Sequence, residues 1–125
     1  MSIESSGQKL RLSKECRLRK NRQFVEVYLR GRRISGPHFT IFYKPNSLTL
    51  CRMGLSVRKK RFKLSARRHY IQRRLREVFR LNKERFLPGY DLVFSAHRFE
   101  KGKVDFRQIT TEMLSLAQKA GVAKC

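Results

Sequence analysis

The chain has 125 residues, of which 31 are Lys or Arg and 9 are Asp or Glu, giving a formal net charge of +22 at pH 7. This length fits one compact domain and excludes a second hydrophobic core. Such a positive charge opposes compaction unless a polyanion neutralises it, so a nucleic acid is the expected partner. A membrane-spanning run, a secretory signal and a membrane-surface helix are all missing from the sequence, so we expect a soluble, cytoplasmic protein.

The composition divides the chain into three parts. Residues 1–12 are polar and increasingly basic, which predicts a flexible arm, residues 13–121 form the domain, and residues 122–125 form a short tail. Three cysteines are widely spaced: Cys16, Cys51 and Cys125. Their number and spacing fit neither a disulfide framework nor a zinc site, and Cys51 is interpreted as a core residue. A protein-bound metal site is left open.

The first predicted helix begins at Asn21, a good N-cap residue, and ends at Gly31. Between them, Phe24, Val27 and Tyr28 follow the i, i+3, i+4 spacing of one helix face. This short helix therefore carries an aromatic stripe.

Two strands are predicted after the turn at Gly36-Pro37. The first divides its side chains between two faces, with Phe39, Ile41 and Tyr43 on one and Thr40, Phe42 and Lys44 on the other. The second, residues 50–58, does the same, with Cys51, Met53, Leu55 and Val57 opposite Arg52, Gly54, Ser56 and Arg58. Each strand thus has one apolar face and one face that includes cations.

A basic loop at residues 59–63 leads into a second helix, predicted from Ser65 as N-cap to about Phe86. Its apolar positions share one side: Ile71, Leu75, Val78 and Phe79. The opposite side is polar and mainly cationic: His69, Gln72, Arg73, Arg76, Arg80 and Lys83. The helix is therefore predicted to bury one side and present cations on the other.

The apolar run at residues 91–96 predicts a buried strand parallel to the strand before the helix, which makes a β-α-β unit. A last helix is predicted from Asp105, with Gln108 completing a capping box, to Gly121. Its apolar positions are Phe106, Ile109, Met113, Leu116 and Ala120. The predicted fold is α+β, a single domain with one mixed sheet and the order α-β-β-(β)-α-β-α, the bracketed strand being optional.

Positive charge is concentrated between Arg52 and Arg85, a segment with fourteen basic residues against Glu77 and Glu84. Arginine predominates in the helix, and its planar fork suits phosphate binding, whereas a merely solvated surface mixes Lys with Glu. From spacing alone the aromatic residues fit a core as well as a base-stacking surface. No Ser-His-Asp or paired-carboxylate arrangement accompanies the isolated histidines His38, His69 and His97.

Two adjacent strings resemble the hallmark of the bacterial ribonuclease P protein, G-[LV]-[ST]-V-x-K-K followed by R-N-R-x-K-R-x-x-R-E. They are G-L-S-V-R-K-K at residues 54–60 and R-H-Y-I-Q-R-R-L-R-E at residues 68–77. Segments 21–28, 39–43 and 89–93 also resemble the family, so the likeness covers roughly residues 10–118. Three hallmark positions differ, because His69, Tyr70 and Gln72 replace its Asn, second Arg and Lys. Two permanent charges are thereby lost, and Arg67 and Arg74 lie close enough along the chain to compensate.

The resemblance implies a ribosomal-protein-like fold whose β-α-β crossover is left-handed, against the usual rule. It also implies two RNA-binding surfaces. One binds the catalytic RNA subunit and corresponds to Lys59, Lys60, Lys63, Arg67, Arg68, His69, Gln72, Arg73, Arg76 and Arg80. The other is a cleft for the 5′ leader of precursor tRNA and corresponds to Phe24, Tyr28, Phe42, Lys44, Arg52 and Arg58.

The leading hypothesis is a non-catalytic subunit of ribonuclease P, with Mg²⁺ and catalysis supplied by the RNA, and no protein residue acting as a catalyst. One alternative is a ribosomal-type RNA-binding protein, which would need no aromatic cleft. Another is a small nuclease, although few Mg²⁺ ligands are available beyond Asp91, Asp105 and scattered Glu residues. Glu77 is expected to pair with Arg73 or Arg80 rather than to act as a general base.

Overall fold

The computed structural model describes residues 14–99 and 104–124. Its helices are α1 (Asn21–Arg30), α2 (Ser65–Leu81) and α3 (Phe106–Ala120), and its strands are β1 (Arg32–Ser35), β2 (Phe39–Pro45), β3 (Arg52–Ser56) and β4 (Tyr90–Ala96). Short 3-10 helices occupy Lys14–Cys16 and Lys83–Arg85. The predicted α+β class with one mixed sheet is confirmed. The additional strand, β1, lies before the two predicted strands and not after them, where the optional strand was placed. Among the described residues no helix is long and apolar enough to cross a membrane.

The four strands form one mixed sheet in the order β1-β2-β4-β3. Antiparallel pairs join β1 to β2 and β2 to β4, whereas β3 and β4 are parallel. Because α2 connects the two parallel strands, the β-α-β unit is confirmed. Its left-handedness stays a prediction.

The two faces of the sheet are covered differently. One face packs against α2 and α3 in the main hydrophobic core, with Phe39, Ile41, Leu92 and Phe94 fully buried. The other face packs against α1 in a small second cluster centred on Val93. The alternation predicted for β2 and β3 is confirmed, because their apolar residues face the main core. Cys51 also lies there, and burial raises the pKa of its thiol to about 12.

Two predicted N-caps are wrong by one position. Asn21 is the first helical residue of α1, because Gln23 Oε1 accepts the backbone N–H groups of Arg19 (2.8 Å) and Lys20 (2.9 Å) and thereby fixes the start. Ser65 likewise is the first residue of α2 and makes no side-chain cap. In both helices the residue predicted as the N-cap is thus the first helical residue.

The end of α2 is also earlier than predicted. The helix stops at Leu81, where Asn82 Nδ2 donates to the Val78 carbonyl at 2.8 Å. The following 3-10 turn brings Phe86 into the core, with its ring centroid 4.9 Å from that of Phe79. Phe86 satisfied the apolar pattern of the helix although it reaches the core from a separate turn.

Gly31 ends α1, but not because it adopts the left-handed backbone conformation that favours glycine. Its φ is −91°, in the extended region, but a Cβ there would lie 2.5 Å from the Val27 carbonyl oxygen and 2.6 Å from that of Tyr43. The glycine is needed because the chain passes this close to β2 as it enters β1.

The last helix begins and ends as predicted. The Asp105 carboxylate accepts the backbone N–H groups of Arg107 and Gln108, and Gly121 closes α3 in the left-handed conformation at φ 81°. The segment that follows is packed, since Val122 and Ala123 are buried and Val122 accepts the Leu87 N–H at 2.9 Å. The structured region therefore continues past Gly121 into the predicted tail, whereas residues 1–12 lie outside the described residues.

Candidate nucleic-acid interface

Aromatic side chains surround a small apolar cluster where α1 packs on the sheet. Val27 of α1, Leu18 and Val93 form its buried floor. Phe24, Tyr28 and Phe42, the three aromatics predicted for the leader cleft, stand around this floor and are half-buried. The structure therefore brings them together. We call these six residues the aromatic cleft.

The rings of the aromatic cleft are held by packing. Tyr28 and Phe42 meet edge to face, with ring centroids 4.8 Å apart. Phe24 lies over Gly54, where a Cβ would be 2.6 Å from the Phe24 Cζ atom. The glycine at the start of the hallmark thus has a local explanation in this chain, because a larger residue would displace Phe24.

Arg52 and Lys44 lie beside the aromatic cleft, but both have acidic neighbours. Arg52 donates through Nε and Nη2 to the two Asp91 oxygens at 2.8 and 2.7 Å, and this pair raises the pKa of Arg52. Lys44 Nζ lies 3.8 Å from Glu26 Oε2. A pocket of about 300 Å³ opens between these groups, lined by Arg22, Gln23, Glu26, Lys44, Asn46, Arg52 and Asp91. It offers cations, amides and two carboxylates to a polar ligand.

Arg58 is not part of that group. It is exposed in the loop after β3, at the opposite end of the strand from Arg52. Six residues of extended chain separate the two, roughly 20 Å at 3.3 Å per residue. A single nucleotide therefore cannot contact both, and only a strand running the length of the cleft could.

A second basic surface is formed by α2 and the loop before it, on the opposite side of the sheet from α1. The loop cations Lys59, Lys60 and Lys63 are exposed, while Phe62 between them is buried and anchors the loop. Predicted α2 residues occupy the side away from the core: His69 and Arg73 are exposed, and Gln72, Arg76 and Arg80 are half-buried. We call these eight cations and polar residues the docking surface.

Arg68, also predicted to bind RNA, has a structural role as well. Its Nη1 donates to the carbonyl oxygens of Phe62 at 2.9 Å and Lys63 at 3.2 Å. Arg68 thereby ties the basic loop to the first turn of α2 and fixes where the loop lysines point.

Arg17 was missed by sequence reasoning. It pairs with Met53 beside β3, and its Nε is buried with no hydrogen-bond partner among the described residues. Burial lowers the pKa of Arg76, and the nearby charge of Arg17 lowers it further. Arg17 thus extends the docking surface at Arg76. No periodicity could reveal it, because it lies in a short irregular segment whose position depends on the sheet.

Tyr70, the residue that replaces an arginine of the hallmark, sits between two arginines. The guanidinium carbons of Arg67 and Arg74 lie 5.4 and 5.5 Å from its ring centroid. The Val104 N–H donates to the Tyr70 hydroxyl oxygen at 2.8 Å, and this bond, more than the nearby Arg74, lowers the pKa of the phenol. Glu77 pairs with Arg80, as predicted, and with Arg74 rather than Arg73.

The acidic residues considered as metal ligands already have partners. Asp91 accepts from Arg52 and from Asn46 Nδ2, and Asp105 caps α3. His38 Nδ1 shares a hydrogen bond of 2.7 Å with Glu112. Within residues 14–99 and 104–124, no group of three or more His, Cys, Asp or Glu residues is placed to hold a metal ion.

Comparison with known proteins gives one consistent result. The Ribonuclease P family profile matches residues 12–121. The ribonuclease P protein component of Haemophilus influenzae is 41% identical over 119 residues, covering 90% of this chain and 98% of that protein. That of Pelotomaculum thermopropionicum is 35% identical over 105 residues, covering 84% and 92%.

Solved structures agree with the sequence relatives. The ribonuclease P protein from Thermotoga maritima superposes with a TM-score of 0.74 at 30% identity, covering 82% of this chain and 96% of its own length. The ribosomal-type alternative is not favoured by any of these likenesses. The chain belongs to the ribonuclease P protein family, and it is therefore a protein subunit of that ribonucleoprotein, with the RNA subunit as its partner.

Proposed function

We propose that the protein binds the RNA subunit through the docking surface, together with Arg67 and Arg68, and the 5′ leader of precursor tRNA through the aromatic cleft. The RNA subunit and its Mg²⁺ ions carry out hydrolysis in the cytoplasm, and the protein contributes affinity and position. The observation that carries this proposal is that the two surfaces lie on opposite faces of one sheet. A rigid sheet between them can hold two RNA molecules in a fixed relation.

The chemistry of the docking surface supports a phosphate backbone as its ligand. It presents Lys59, Lys60, Lys63 and Arg73 to solvent, while the apolar side of α2 is fixed in the core. Phosphate contacts position a protein on RNA without reading its sequence. Such a surface fits a large folded RNA whose backbone is accessible from outside.

The chemistry of the aromatic cleft supports single-stranded RNA instead. Half-buried rings can stack on unpaired bases, and base-aromatic stacking tolerates any sequence. Lys44 and Arg52 lie at one end of the cleft and Arg58 beyond the other, so a leader lying along β3 would meet cations at both ends. A mature tRNA has no leader and would leave the cleft empty.

The arrangement of acidic groups supports catalysis by RNA. Asp91 and Asp105 are engaged in an ion pair and a helix cap, and no metal-binding cluster occurs in the part of the chain that the structure describes. We propose that the ions that activate the nucleophile in phosphodiester cleavage are held by the RNA subunit.

Reconstitution tests whether hydrolysis belongs to the RNA subunit or to the protein. The purified protein is mixed with a bacterial ribonuclease P RNA and a precursor tRNA at low Mg²⁺, and each component is omitted in turn. We expect efficient cleavage only when protein and RNA are both present. Cleavage by protein alone would assign hydrolysis to the protein, and no stimulation of any bacterial ribonuclease P RNA would contradict the proposed role.

The leader contact is tested by comparing the affinity for precursor tRNA with that for mature tRNA. Tyr28→Leu keeps apolar volume but removes a stacking ring, and we expect it to reduce this preference by roughly tenfold. Tyr43→Leu, on β2 but facing the main core, is the matched control and should keep the preference. An unchanged preference in the Tyr28 variant would contradict the leader contact.

A further inference from the structure

The side of α2 that faces α3 carries a row of residues outside the docking surface. Arg67, Tyr70 and Arg74 follow one another at intervals of three and four residues, so their side chains lie next to each other along the helix. Both guanidinium groups lie within 5.5 Å of the Tyr70 ring centroid. The row is therefore a tyrosine ring held between two cations.

The ring is fixed from the other side by Val104, two residues before α3. The Val104 N–H donates to the Tyr70 hydroxyl at 2.8 Å, and Arg74 also lies 5.9 Å from the Phe106 ring centroid. The ring thus cannot rotate away without breaking a hydrogen bond to a neighbouring element. A fixed ring restricts the two long side chains that lie against it, and this lowers the entropy they lose on binding a ligand.

We propose that Tyr70 is a positioning residue that holds Arg67 and Arg74 for contact with phosphates of the RNA subunit. The hallmark has an arginine at this position, which would contact phosphate directly. Here a neutral ring stands in its place and orders two flanking arginines, so the cationic surface is wider on the side towards α3. This inference rests on the proposed docking of α2 to the RNA subunit.

The role predicts a particular dependence on salt. Each phosphate contact contributes roughly 0.7–0.9 to the slope of log affinity against log salt. If Tyr70 holds two arginines against phosphates, removing its ring should weaken both phosphate contacts, although both positive charges remain in the chain. A residue that merely stabilised the fold would leave this slope unchanged in the folded protein.

The experiment measures binding of a bacterial ribonuclease P RNA at several salt concentrations by wild type, Tyr70→Leu and Tyr70→Phe. We expect the leucine variant to bind about fivefold to tenfold more weakly, with a slope smaller by about 1–2. The phenylalanine variant keeps the ring but loses the hydrogen bond from Val104, so it should bind more weakly than wild type and more tightly than the leucine variant. Arg107→Met, at an exposed site on α3, controls for general loss of charge.

A double-mutant comparison completes the test. In an Arg67→Met, Arg74→Met background, Tyr70→Leu should have no further effect on affinity, because the ring has no arginines left to position. An equal loss in both backgrounds, an unchanged salt slope, or a phenylalanine variant as weak as the leucine variant would overturn the inference. Failure of the wild-type protein to bind the RNA would instead contradict the proposed function.

Discussion

The aromatic cleft and the docking surface both include arginines, but the two regions differ in what neutralises them. Arg52 beside the cleft is paired with buried Asp91, and Lys44 lies near Glu26. On the docking surface Arg73 is exposed, and Arg76 has Arg17 as a charged neighbour. The cleft is thus shaped by interactions within the protein, whereas the docking surface, apart from the Arg80–Glu77 pair, is left with a charge that an external polyanion can neutralise. Changes in the first should alter stability, and changes in the second should alter affinity.

The largest expected effect is on the ion pair beside the cleft. Asp91→Asn would leave the half-buried Arg52 guanidinium without a carboxylate, and we expect a loss of about 2–4 kcal/mol in the free energy of unfolding. Urea denaturation followed by circular dichroism measures it. Glu26→Gln is the control, because that carboxylate is 49% exposed and its pairs should contribute no more than about 0.5 kcal/mol. Equal stability of the two variants would mean that the Arg52–Asp91 pair contributes no more to the fold than the exposed pairs of Glu26.

The next effect concerns the shape of the cleft. Gly54→Ala places a methyl group against the Phe24 ring, and we expect a loss of about 1–3 kcal/mol together with a smaller preference for precursor over mature tRNA. Ser56→Ala, on the same strand and the same face, is the control and should change neither quantity. Unfolding experiments and tRNA binding are measured on the same samples. A stable Gly54→Ala protein with normal leader preference would show that Phe24 can move without consequence.

How well the sequence predicts these regions depends on how far apart along the chain the interacting residues lie. Alternation on β2 and helical spacing on α1 correctly placed Phe42 and Phe24 on surfaces that could meet, because side-chain direction follows from local geometry. The exposed stripe of α2 was predictable for the same reason. Family resemblance, not periodicity, then assigned the two surfaces to RNA.

Other features of the site depend on how the strands pair, which the sequence does not show. Asp91 was considered a possible metal ligand, but the parallel register places it opposite Arg52, a contact between residues 39 positions apart. The charge of Arg17 similarly lowers the pKa of Arg76 only because its segment lies beside β3. Helix ends were misplaced for a third reason, since Gln23 caps α1 from inside the helix. Local patterns contain no information about the distant partners of Asp91 and Arg17.

A smaller effect is expected on the docking surface. Arg73→Met removes an exposed charge and should change stability by less than about 0.5 kcal/mol. It should weaken binding to the RNA subunit for all sequences alike and reduce the salt slope by about 1. Filter binding over a range of salt concentrations measures this, with Arg107→Met on α3 as a control. If the two variants bind equally, Arg73 has no particular place in the docking surface.

The last effect has the opposite sign and separates the two regions most directly. Arg17→Met removes a guanidinium whose buried Nε has no partner among the described residues and whose charge faces Arg76, while it keeps most of the apolar stem. We expect the free protein to become more stable by roughly 0.5–1 kcal/mol, because a buried polar group without a hydrogen bond is costly. The gain should be larger at low salt, where repulsion between the two arginines is less screened.

Affinity for the RNA subunit should fall at the same time. Thermal unfolding at two salt concentrations, alongside RNA binding, measures both quantities. A destabilised variant would mean that Arg17, like Arg52, serves the fold, and the docking surface would then obey the same rule as the cleft.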